Sequence, residues 1–198
     1  MRRLVTAAFV AGTALAASAG SANAFIHLLF QPENPAQQQQ YSRNDPQSHV
    51  QISPIPRETV AFSGYAPGTI VVNTSERRLY FVLGNGTAIR YGIGVGRPGF
   101  TWAGTKTIAR KAEWPDWTPP PQMLKRRPDL PRHMKGGVDN PLGARALYLG
   151  GSLFRIHGSN EPDTIGQAVS SGCIRMTNAD VVDLYERVRV GTRVVVLR

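Results

Sequence analysis

Cysteine is nearly absent: the 198-residue chain carries one, Cys173. No internal disulfide can form. A structural zinc site needs about four ligands, commonly several Cys and His. Cys173 and His157, sixteen residues upstream, leave too few obvious partners, so no metal is expected. Acidic residues are scarce, 13 against 23 Lys and Arg, for a formal net charge of +10. That balance raises a nucleic-acid reading, but no recognisable nucleic-acid motif accompanies it. A basic surface also suits the anionic polymers and head groups of an envelope, or is simply solvated. Long apolar runs are lacking too. The apolar run at residues 4–17 falls short of the ~20 residues that a bilayer span requires.

That run has a different meaning. It follows Met1-Arg2-Arg3 and precedes Ala22-Asn23-Ala24, the charged start, short apolar centre and small-residue cleavage site of a secretory signal peptide over residues 1–24. No cysteine lies near the cleavage site, so lipoprotein anchoring is not indicated. The expected mature chain is exported to the periplasm or cell envelope, has no transmembrane segment, and starts near Phe25. Loss of Arg2 and Arg3 lowers its formal charge from +10 to +8. Export changes what a lone cysteine means, because an odd thiol outside the cytoplasm points to intermolecular pairing or reactivity. The competing reading is a buried, inert cysteine acting as a small hydrophobe.

Residues 25–67, with Gln37-Gln38-Gln39-Gln40 and scattered prolines, have the composition of a poorly ordered linker or arm. Residues 68–198 suffice for one domain with a real core. Strand patterns occupy 69–73, 79–83, 87–91, 105–112, 144–149, 152–157 and 192–197. Gly84-Asn85-Gly86 separates two of them as a hairpin turn, since Asn-Gly tolerates positive φ. A short helix is expected near 122–127. Thr177-Asn178-Ala179-Asp180 resembles a capping box, and Val181, Leu184, Tyr185 and Val188 recur at helical spacing up to about Gly191. The fold class is therefore mainly β, one sandwich or barrel domain with one main helix after the cysteine. Gly94-Val95-Gly96-Arg97-Pro98-Gly99 fits a dinucleotide fingerprint, but Pro98 and the residues after it offer no helix to face a pyrophosphate. It reads as a loop after a strand, and no cofactor is expected.

Chemistry concentrates between His157 and Met176. A histidine at a strand end and a thiol in Ser170-Ser171-Gly172-Cys173-Ile174-Arg175 form a minimal kit for acyl transfer. His157-Gly158, Ser171-Gly172-Cys173-Ile174-Arg175-Met176 and Asn140-Pro141-Leu142-Gly143-Ala144-Arg145-Ala146 together resemble the L,D-transpeptidase catalytic domain, or YkuD domain, over about residues 68–198. The resemblance implies an L,D-transpeptidase-like β fold and an envelope enzyme that acts on peptidoglycan stem peptides. Its thiolate attacks the carbonyl of a diamino acid's L-centre, D-alanine leaves, and an amine of a neighbouring stem resolves the thioester to a 3→3 cross-link. Envelope proteins serve as acceptors in some members, and others hydrolyse similar bonds.

By position Cys173 is the nucleophile and His157 the base. In the resembling family a carbonyl just after the histidine orients it, here Gly158. The amides of Gly172 and Cys173 are candidates for the oxyanion. Ser171 stands where some branches place a second histidine. Arg175, two residues beyond the nucleophile, points to the same side if the segment is extended. There it either grips a substrate carboxylate or forms a structural ion pair. Asn140 and Arg145 are scaffold or contact residues. Two other readings stay open: an L,D-carboxypeptidase on the same fold, and a non-catalytic wall-binding module.

Overall fold

A computed structural model of the chain describes residues 53–198. The expected leader and the arm up to residue 52 lie outside the described residues. Strands dominate because Val, Ile, Leu and Tyr alternate along short segments broken by Gly, Asn and Pro. Among the described residues, β1 (Glu58–Ala61), β4 (Thr87–Gly92), β3 (Arg78–Gly84), β2 (Ile70–Asn73), β11 (Arg193–Leu197), β6 (Gly104–Glu113), β7 (Arg145–Leu149), β8 (Arg155–His157) and β10 (Ile174–Arg175) form one nine-stranded sheet in that order. A small second sheet pairs β5 (Val95–Gly96) with β9 (Ala168–Ser170).

The long strand β6 turns this sheet into a sandwich. Its first half pairs antiparallel with β11 and its second half with β7, with a bulge between Ile108 and Arg110. Bulges bend a strand and raise its twist, so the two halves of the sheet enclose one core. Ile70, Val72, Leu79, Phe81 and Tyr91 enter it from one half, and Leu147, Leu149, Ile156, Ile174 and Met176 from the other. The turn between β3 and β4 has positive φ at Gly84, Asn85 and Gly86, as its sequence demands.

Among the described residues there are two α-helices: α1 (Pro121–Arg126), and α2 (Asn178–Arg187), which follows the cysteine and packs on the sheet. Thr177 caps α2, its side chain accepting the Asp180 amide at 3.2 Å. Val181, Leu184 and Val188 seal the core. The helix ends at Arg187, four residues before the expected Gly191, because Val188 turns extended and stays buried. Its carbonyl instead receives Lys111 Nζ at 2.7 Å.

Residues 53–67, expected from composition to belong to a poorly ordered arm, are part of this architecture. β1 pairs with β4 in register from Glu58↔Arg90 to Ala61↔Thr87. Phe62 stacks on Tyr80 at 4.4 Å between ring centroids. With Val60 and Tyr65 it covers a second apolar cluster of Val71, Tyr80, Val82 and Ala88 on the outer sheet face. The glutamine-rich stretch before residue 53 dominates the average composition and hides these apolar residues.

Candidate active site

The register of three neighbouring strands determines which side chains meet. β8 and β10 run parallel with Ile174 opposite Ile156 and Arg175 opposite His157. Both isoleucines are buried in the core. Side chains alternate along a strand, so Arg155, His157 and Arg175 take the opposite face, as does Cys173, one residue before β10. β7 continues the pattern, with Tyr148 opposite Arg155 and Ala146 opposite His157. Cys173 thus lies on a diagonal from His157 across adjacent strands of one face. Such diagonals span roughly 7–8 Å between backbones, within reach of long side chains.

His157 is 4% exposed. Its Nδ1 donates to the Gly158 carbonyl at 2.6 Å. A carbonyl cannot donate, so this contact assigns the proton to Nδ1 and leaves Nε2 as the lone-pair nitrogen. Burial drives the imidazole pKa down to about 3, helped by the Arg175 and Arg155 charges and opposed by the Gly158 carbonyl. Cys173 is half-buried. Burial pushes its thiol up, while Arg155 and Arg175 pull the other way. Both directions favour neutral groups at rest, a thiol and an imidazole rather than a thiolate and an imidazolium.

The turn before Cys173 is held from every side. Ser170 Oγ donates to the Cys173 carbonyl at 2.6 Å and accepts the Gly172 amide at 3.2 Å. That commits the Gly172 N–H internally and leaves the Cys173 N–H of the two oxyanion candidates. Trp102 Nε1 donates to the Gly172 carbonyl at 2.8 Å, and its ring stacks on Phe154 at 4.7 Å. Gly172 has φ +104°, and a Cβ there would stand 2.6 Å from Phe154 Cε1, so glycine alone fits. Ser171 lies half-buried in the same turn.

Gly158 is equally constrained, since a Cβ would lie 2.3 Å from Asn178 Oδ1. That oxygen accepts the amides of Ala144 at 2.9 Å and Ser159 at 3.3 Å, which ties the start of β7 and the end of β8 to α2. Of the two readings of Arg175, the structure contains the ion pair: its Nη1 meets Glu161 Oε2 at 2.8 Å. Asn140 organises the loop before β7, donating to the carbonyls of Pro115 at 3.1 Å and Lys135 at 2.9 Å and accepting the Leu142 amide at 2.9 Å. Arg145 pairs with Glu113 at 3.1 Å. Sequence reasoning missed Ser170, Trp102, Phe154, Arg155 and Asn178. Arg155 was within reach of it, being two residues before His157 on a strand and so on the same face.

Residues 67–196 match the profile of the L,D-transpeptidase catalytic domain, YkuD. The chain belongs to this family. The L,D-transpeptidase family has curated members similar to this chain, among them the probable L,D-transpeptidase ErfK/SrfK of Escherichia coli, 38% identical over 77% of this chain and 50% of that protein. This chain spans about half the length of the curated relatives it matches. Among solved structures, L,D-transpeptidase 3 from Mycobacterium tuberculosis shares the fold, with a TM-score of 0.54 at 17% identity over 66% of this chain and 60% of its own. A Brucella melitensis structure named a probable carnitine operon oxidoreductase is 47% identical over 74% of this chain and 96% of its own, at a TM-score of 0.50. That name belongs to the neighbour and not to this L,D-transpeptidase family member.

Proposed function

We propose that this protein is an exported L,D-transpeptidase that acts on peptidoglycan stem peptides through a thioester on Cys173. The observation that carries the reading is the placement of His157 on β8 and of Cys173 at the entry to the parallel neighbour β10, with Gly158 fixing the imidazole tautomer. Cys173 Sγ attacks the carbonyl of the diamino acid's L-centre while His157 Nε2 takes the thiol proton. The Cys173 N–H faces the developing oxyanion. Collapse breaks the amide bond, His157 returns the proton to the departing D-alanine amine, and the peptide remains as a thioester. An acceptor amine then attacks, gives its proton to His157, and releases the new amide and the thiol. A neighbouring stem as acceptor yields a 3→3 cross-link, an envelope protein yields attachment to the wall, and water yields hydrolysis.

Export rests on the leader pattern of residues 1–24, and no helix among the described residues is long and apolar enough to cross a membrane. A carbapenem tests the nucleophile. Its strained lactam opens on a thiol without losing atoms, so intact wild-type protein should gain the full mass of the drug on Cys173. Cys173→Ala protein should gain nothing. Unmodified wild-type protein after prolonged incubation would contradict the reading.

A further inference from the structure

The register that brings His157 and Cys173 together also builds a second row on the same sheet face. Arg110 on β6 stands opposite Tyr148 on β7, and Tyr148 stands opposite Arg155 on β8. The next position across, on the segment that enters β10, is Cys173. A transverse track of guanidinium, phenol and guanidinium therefore ends at the nucleophile. The Arg110 guanidinium lies 3.6 Å from the Tyr148 ring centroid and that of Arg155 5.4 Å from it. Stacking keeps both guanidinium groups in place, and the Arg155 side chain also reaches the Cys173 sulfur.

Two observations separate Arg155 from an ordinary surface cation. Arg175, its neighbour around the thiol, is neutralised by Glu161 at 2.8 Å. Among the described residues, neither Arg155 nor Arg110 has a carboxylate within ion-pair distance. In addition, Arg155 Nε is buried without a hydrogen-bond partner. A buried donor left unpaired costs about 1–3 kcal/mol, a cost that an incoming acceptor removes. The acceptor that matches a guanidinium edge is a carboxylate.

We propose that Arg155, braced by Tyr148 with Arg110 behind it, is the carboxylate-holding residue of the donor site, selecting peptides with a carboxylate close to the attacked carbonyl. Adjacent strands lie about 4.8 Å apart, so a carboxylate on Arg155 stands one residue's reach from Cys173 Sγ. The inference rests on the acyl-transfer reading above and adds the donor's recognition to it. The carboxylate has two sources, the C-terminus of the leaving residue or the far end of the diamino acid. Both present the same charge to Arg155.

Iodoacetate and iodoacetamide test the geometry without any peptide. Both place CH2 on the thiolate and release iodide, and only the first carries a carboxylate. Relative to N-acetylcysteine, wild-type Cys173 should favour iodoacetate by about tenfold, the scale of one charge-assisted hydrogen-bonded pair. Arg155→Gln and Arg155→Met should lose that preference, and Arg193→Gln, which removes an equal charge far along the sheet order, should keep it. A wild-type ratio equal to that of N-acetylcysteine overturns the proposal without any variant. So does an unchanged ratio in the Arg155 variants, or an equal fall in Arg193→Gln, which would signal a diffuse field.

Donor tetrapeptides supply the second arm. Amidation of the C-terminus should cut the acylation rate of wild-type protein but not of Arg155→Gln if the leaving residue holds the carboxylate. Lysine in place of a diaminopimelate should do so if the diamino acid holds it. Equal rates for all donors overturn the proposal. Failure of every peptide to acylate Cys173, with the iodoacetate preference intact, strikes the transferase reading instead and leaves the carboxylate site standing.

Discussion

On the proposed reading Cys173 and His157 carry the chemistry, and their surroundings push them in opposite directions. Burial lowers the His157 pKa to about 3, and burial raises the Cys173 thiol above its ordinary value. A group that loses protons more easily beside one that holds them more tightly gives a neutral pair at rest. Proton transfer then accompanies attack rather than preceding it. The iodoacetamide labelling rate of Cys173 should accordingly climb with pH through and beyond the usual thiol range near ~8.5, with no plateau at lower pH. His157→Ala should slow labelling at pH 7 by removing the only base on the diagonal. A plateau reaching down to about pH 5 would mean a preformed thiolate–imidazolium pair and contradict this account. At this scale the sequence was most legible in placement: His157 does end a strand and Cys173 does stand beside it in the register. It was least legible where partnership decides the role. Ser170 and Ser171 are chemically alike, and only the fold makes Ser170 the one that binds the Cys173 carbonyl and the Gly172 amide. Arg175 had two open roles until Glu161, fourteen residues away, came within 2.8 Å.

Among the elements, strand existence followed from alternation, and α2 was foreshadowed by its cap and its helical spacing. Boundaries set by tertiary contacts were not. The stretch from 53 to 67 shows why. Val60, Phe62 and Tyr65 are too few and too widely spaced to announce a strand, yet they cover the outer face of β2–β4. Ile55 fits a notch made by two glycines: a Cβ on Gly92 would stand 2.6 Å from Ile55 Cβ, and one on Gly166 3.0 Å from its Cδ1. Arg57 reaches Asp183 at 3.3 Å and Asp180 at 3.8 Å on α2. These contacts join the entry segment to the loop that leads to Cys173. A chain that begins at residue 53 should melt with the full-length mature protein. One that begins at residue 64 loses β1, Phe62, Ile55 and Arg57, and should melt roughly 5–10 °C lower, given about 2–4 °C per kcal/mol for a domain of this size. Thermal denaturation of the two chains decides it: equal melting temperatures would return residues 53–63 to the role of a dispensable arm.

The described residues form a curved sheet whose inner face stores the core and whose outer face, at the β7–β8–β10 end, carries the candidate site. Period-two alternation makes both faces from the same strands, so Ile156 and Ile174 anchor the segments that hold His157 and Cys173. The mainly β class and the single main helix were readable from pattern. The sandwich closure through the bulged β6 was not, because a bulge between Ile108 and Arg110 leaves no residue signature. The Gly94–Gly99 stretch, set aside as a nucleotide fingerprint, serves packing: a Cβ on Gly96 would stand 2.6 Å from the Phe100 carbonyl oxygen and 3.3 Å from Gly172 Cα. The proposed acyl-enzyme at Cys173 has its direct test in purified muropeptides. Mature wild-type protein, incubated with tetrapeptide-bearing muropeptides, should release D-alanine and give joined or shortened products by mass spectrometry, and Cys173→Ala should give none. Identical products from Cys173→Ala, or no change in the muropeptides with a reactive, folded wild-type protein, would contradict the account.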